Sequence, residues 1–162
     1  MDRASRWPTT ATQKDRGSTY AAVTSTLMPL LIDAGVLYAM VDRKDAWHGP
    51  IVEYIKARRA ELLAPVTILP EATYLVRHRL GASVELKLVE GFVNGGVAVE
   101  PLKPTDIARA YALMAKYPQL GFADSTVVSM AERLALTTIA TTDRRHFKII
   151  RPSHVKQFTL VP

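Results

Sequence analysis

Four acidic residues share an unusual setting: each stands at the boundary of an apolar element, with no basic neighbour placed to pair with it. Asp33 closes "LLID", Glu71 opens "EATYLV", Asp124 lies in "GFADSTVVSMA", and Asp143 follows "TIATT". A buried, unpaired carboxylate costs several kcal/mol or shifts its pKa until it is neutral. Each acid also has a plainer reading. Glu71 and Asp124 fall near helix starts, where acids are favoured; Asp33 can cap the helix after it, and Asp143 can organise a turn with Arg144 or Arg145. Brought together by the fold, the four would repel one another unless a cation neutralised them. Oxygen donors of this kind select Mg²⁺ or Mn²⁺. Such an ion activates water and stabilises charge on both oxygens of a phosphoryl displacement, so no protein nucleophile is needed. Glu53, Glu61, Glu85, Glu90 and Glu132 stand beside polar or charged positions and read as solvated faces.

The elements that must position the acids alternate from residue 29 onward. "LLID" reads as a strand, "AGVLYAMVD" as a short helix and "PIVEYIKARRA" as a helix with Ile51, Tyr54 and Ile55 on one face. "LLAPVTIL" is β-rich and broken by Pro65. "PEATYLVRHRLG" carries Pro70 and Glu71 at its start and Gly81 at its stop. A second helix, "ASVELKLVEGFV", precedes the strand "VAVEPL". In "KPTDIARAYALMAKYP" Thr105 is the expected N-cap; "GFADSTVVSMAERLA" is a helix, "TTIAT" a strand leading into "TDRRHF", and "QFTLVP" a last strand. This order predicts an α/β fold of three layers, a mostly parallel central sheet flanked by helices. Ligand sites in such sheets lie at the carboxyl ends of the strands, where Asp33 and Asp143 fall.

Bulk properties narrow the chemistry. The 162 residues carry a formal charge of +6, which favours a polyanionic partner through steering and counterion release. There is no cysteine, which excludes disulfides, thiolate metal sites and a cysteine nucleophile, and fits a reducing cytoplasm. Neither a glycine-rich phosphate loop nor histidine spacing for zinc is present. No apolar run approaches the roughly 20 residues of a membrane span. Residues 1–27 lack a sustained period and read as a flexible extension, with Met28 as an alternative start; residues 28–162 form the expected domain.

Several other residues take the plainer reading. Asp42 and Asp45 are turn acids, and Asp106 is a helix-start acid. Trp47 is a packing residue, with base stacking or a partner groove as the alternative. His48 and His146 read as structural, and Tyr74, Tyr111 and Tyr117 as core. Arg144, Arg145, Lys148 and Arg151 form a basic cluster able to follow RNA phosphates, or simply a solvated surface.

The pieces "LLIDAGVLYAMVDRKDAWH", "ILPEATYLVRHRLG", "GFADSTVVSMAERL" and "IATTDRRHF" together resemble the PIN-domain ribonucleases, and more closely the VapC-type toxins of bacterial toxin–antitoxin pairs. The resemblance implies a Mg²⁺- or Mn²⁺-dependent endoribonuclease. Asp33 and Asp124 would be the principal metal ligands, and Glu71 and Asp143 would complete the acidic cluster. Thr141 would orient water or a ligand, and Arg144 would contact phosphate beside the pocket. It also implies a cognate antitoxin laid in the groove, and a homodimer. One departure is Ala34-Gly35, where the family often carries a Thr-Ser type pair after the first acid. The alternatives are a non-catalytic PIN-like module that binds RNA or protein, and a phosphotransferase that uses Asp33 as nucleophile.

Overall fold

The computed structural model describes residues 28–162; the extension expected over 1–27 lies outside the described residues. Five strands, β1 (Leu30–Ile32), β2 (Leu62–Pro65), β3 (Ala98–Glu100), β4 (Thr138–Ala140) and β5 (Thr159–Val161), form one sheet in the order β3-β2-β1-β4-β5. Every neighbouring pair is parallel. Helices fill the connections: α1 (Ala34–Val41), α2 (His48–Arg58), α3 (Leu69–Leu80), α4 (Ala82–Val93), α5 (Pro104–Lys116), α6 (Phe122–Arg133) and α7 (Arg144–Ile149). The expected α/β architecture, a parallel sheet flanked by helices, is the one observed.

β1 lies in the middle of the sheet and is wholly buried, hence its unbroken "LLI". From β1 the chain builds outward through β2 to β3, then returns to the other side of β1 for β4 and β5. The order reverses between β1 and β4, and a crevice opens there at their carboxyl ends. α6 packs against β1 and β2 and is buried from Ser125 to Ala131, so its small and apolar residues face the sheet and α5.

Several details depart from the sequence reading. The β-rich segment ends as a strand at Pro65 and continues as a 3₁₀ turn over Val66–Ile68. α5 starts at Pro104, with Lys103 rather than Thr105 as its cap. Proline pushes its predecessor into extended backbone and itself suits the first helical position. "TDRRHF" forms the six-residue helix α7, too short to show a period in sequence. Tyr74 and Tyr111, expected in the core, are 65% and 76% exposed on the outward faces of their helices. Glu132, expected in solvent, is half-buried and paired with Arg109 on the neighbouring helix. Among the described residues no helix is long and apolar enough to cross a membrane.

Candidate active site

Asp33 follows β1 and is the N-cap of α1; its Oδ1 accepts a 2.8 Å hydrogen bond from the Val36 amide. Its Oδ2 accepts from the hydroxyl of Thr141, the residue just past β4. The same hydroxyl accepts from the Asp143 amide at 2.9 Å. Thr141 therefore ties the ends of the two central strands together and fixes both acids. Capping and site-building are one geometry here, so the plainer reading of Asp33 and the functional one are both realised.

Burial dominates the acids, and their charges add to its effect. Asp33 is only 5% exposed, and burial pushes its pKa up to about 6. The Thr141 and Val36 hydrogen bonds oppose that rise, while the charges of Asp124 and Asp143 add to it. Asp124, in the first turn of α6, is raised chiefly by burial; nearby His146 opposes the rise, and the Asp143 charge adds to it. Glu71, in the first turn of α3, stands at the exposed rim, raised by partial burial and then by the Asp124 charge. Asp143 caps α7 by accepting from the amides of Arg145 and His146. The chain thus brings acids far apart in sequence within electrostatic reach at one end of the sheet.

His146 was not among the expected site residues. Its Nδ1 lies 3.2 Å from Asp143 Oδ2 and 3.6 Å from Asp124 Oδ2, between two of the acids. The i,i+3 spacing from Asp143 would have shown this only if α7 had been recognised as a helix. His48 is structural, as expected, with Nδ1 2.7 Å from the Ala39 carbonyl oxygen. Gly35 also has a defined role: a Cβ there would collide with Thr142 Oγ1. The absent side chain at Gly35 lets the β4–α7 turn lie close against α1.

The donor set consists of carboxylates and one hydroxyl, which suits a hard divalent cation. Among the described residues no three acidic or histidine side chains are drawn tightly enough to enclose an ion. Mg²⁺ is commonly held by one or two carboxylates with water completing its shell, so an ion here would rest on few protein ligands. Asp33 and Asp124 are the residues that could hold such an ion, with the carboxylates of Asp143 and Glu71 near Asp124.

A model of the PIN domain matches residues 30–151. The chain belongs to the PIN domain family. It is of the VapC type: it is similar to Ribonuclease VapC26 of Mycobacterium tuberculosis, 30% identical over 135 residues that cover 82% of this chain and all of that one. The fold matches that of M. tuberculosis VapC20, described as a Sarcin-Ricin loop cleaving toxin, with a TM-score of 0.67 and 15% identity over 72% of this chain and 92% of that one. It also matches VapBC2 from Rickettsia felis, solved bound to a promoter DNA fragment, with a TM-score of 0.60 and 14% identity over 82% of this chain and 97% of that one.

Proposed function

We propose that this PIN-domain protein is a Mg²⁺- or Mn²⁺-dependent endoribonuclease, the toxin of a type II toxin–antitoxin pair. The supporting observation is the shared setting of Asp33 and Asp124, both raised by burial and by neighbouring carboxylate charge, with the half-exposed His146 beside Asp124 and, among the described residues, no arginine or lysine paired with either. A divalent ion bound there lowers the pKa of water and offsets negative charge on the phosphodiester oxygens. The chain's own contribution is positional. Thr141 holds Asp33 and the Asp143 backbone in register, and Arg144 faces the adjoining cleft, where it can meet a phosphate. A cognate antitoxin, a second copy of the chain and a cytoplasmic setting complete this reading.

The test is cleavage of structured RNA by the purified protein with Mg²⁺, with EDTA, and with Asp33→Asn. Scission with Mg²⁺ alone, lost in the other two arms, is the expected result. Cleavage by Asp33→Asn at the parent rate would remove the assignment.

A further inference from the structure

Beside the acids lies a cleft of about 600 Å³, within the roughly 300–1,000 Å³ of sites that hold small organic groups. It shares Asp143 with the acidic cluster, is lined there by Gly35 and Thr142, and extends toward Trp47, Tyr38 and Arg79. The Arg144 guanidinium lies 5.7 Å above the Trp47 ring, and that of Arg79 lies 5.4 Å above the Tyr38 ring. Hydrogen bonds anchor the Tyr38 ring and the backbone that carries Trp47. Tyr38 donates a 2.8 Å hydrogen bond to Asp42, and Asp45 accepts a 2.7 Å bond from the Trp47 amide. The buried Nε of Arg144 finds no acceptor among the described residues. A buried guanidinium donor without an acceptor is costly, and a phosphate or base edge is the kind of group that satisfies it.

We infer that this cleft is a subsite for one nucleotide next to the scissile phosphodiester, with its base on the Trp47–Arg144 stack and its phosphate met by Arg79 and Arg145. The inference rests on the ribonuclease reading and adds what the cleft recognises. Flat π-surfaces topped by guanidinium planes are how single-stranded RNA bases are held. Three arginines line the cleft, and its two acids, Asp45 and Asp143, are already engaged by backbone amides. That balance favours a nucleotide over a protein segment. Gly35 and Thr142 both line the cleft, and a Cβ at Gly35 would collide with the Thr142 hydroxyl, so the absent side chain lets the two lie close there.

The experiment measures binding of short single-stranded RNA oligonucleotides to the full chain in Ca²⁺, and maps the 5′ ends produced in Mg²⁺. Trp47→Ala should weaken binding about tenfold to a hundredfold, the range for one lost base stack, and relax the nucleotide preference at one position flanking the cut. Trp47→Phe should keep most of both. Trp47 packs partly on the core, so the exposed Arg79→Ala supplies an independent arm and should weaken binding several-fold. If Trp47→Ala and Arg79→Ala are folded and match the parent in affinity and cleavage pattern, the subsite is refuted and the cleft is left to a protein partner. A parent that binds through Trp47 but never cleaves would overturn the ribonuclease reading while leaving the cleft as an RNA site.

Discussion

Two regions of this molecule gather buried carboxylates and treat them in opposite ways. On the α5–α6 side, Asp106 is 2% exposed, and its Oδ1 lies 2.8 Å from Arg133 Nε. Glu100 is 2.9 Å from the same guanidinium, and Glu132 holds Arg109 through two hydrogen bonds. Glu132 is held below its usual pKa by Arg109 and the Ser153 amide, which outweigh its burial. At the carboxyl end of the sheet, Asp33 is equally hidden but has neutral hydrogen-bond donors and acidic neighbours, and its pKa rises. Burial alone therefore does not mark a working acid. Burial without a paired arginine or lysine is what sets Asp33 apart, and the proposed divalent ion is the charge that would offset it.

The largest separation between the regions is expected in catalysis. Asp124→Asn should lower RNA cleavage on the order of a hundredfold to a thousandfold, as expected for one group acting on developing charge, with the circular dichroism spectrum unchanged. Arg133→Met should do the reverse. Stranding Asp106 and Glu100 costs about 3–5 kcal/mol, visible as a lower urea midpoint, while cleavage per folded molecule stays at the parent value. An Arg133→Met protein as stable as the parent would erase the contrast.

The pH dependence sharpens the comparison further. Asp33 has a folded pKa of about 6 against a reference value of 3.8, so the folded state holds this proton more tightly than the unfolded chain. Its contribution to stability is therefore lost as pH rises from about 4 through 6, a deficit of up to about 3 kcal/mol above that window. Asp33→Asn lacks the deficit, and asparagine caps a helix as well as aspartate does. In EDTA at pH 7.5 the variant should melt several degrees above the parent, and the gap should close near pH 4. Mg²⁺ should raise the melting temperature of the parent more than that of the variant. A parent that melts above Asp33→Asn in EDTA at every pH would contradict the strained-acid account. At the small end, Arg77→Ala removes the exposed Arg77–Glu85 pair and should change stability by less than about 1 kcal/mol, measured by the same urea titration.

Much of the framework was legible locally. The uninterrupted "LLI" signalled a strand, Pro70 and Gly81 bracketed a helix to within a residue, and alternation of the elements implied a mostly parallel sheet. The four acids stood out because each interrupts an apolar setting, which requires no knowledge of distant residues. Other features depended on distant partners. Glu132 looked solvated because Arg109 lies 23 positions away, and the two meet only when α5 packs on α6. His146 looked structural because its place between Asp124 and Asp143 needs the start of α6 and the β4–α7 turn side by side. Gly35 looked like a lost hydroxyl until Thr142 was found pressed against it.

The amino-acid order by itself determined most of the strands and the longer helices, and which acids lack a local counter-charge, since both follow from interactions within a few positions along the chain; the short α7 and the 3₁₀ turn after Pro65 were not legible in that way. Only the tertiary structure decided which of those acids acquire an arginine and which remain among other acids. That outcome depends on the strand order β3-β2-β1-β4-β5, which places the end of β1 against the end of β4 and sends Asp106 and Glu100 to Arg133. Electrostatic energy varies with distance through space, and sequence separation carries almost no information about that distance until the sheet has formed.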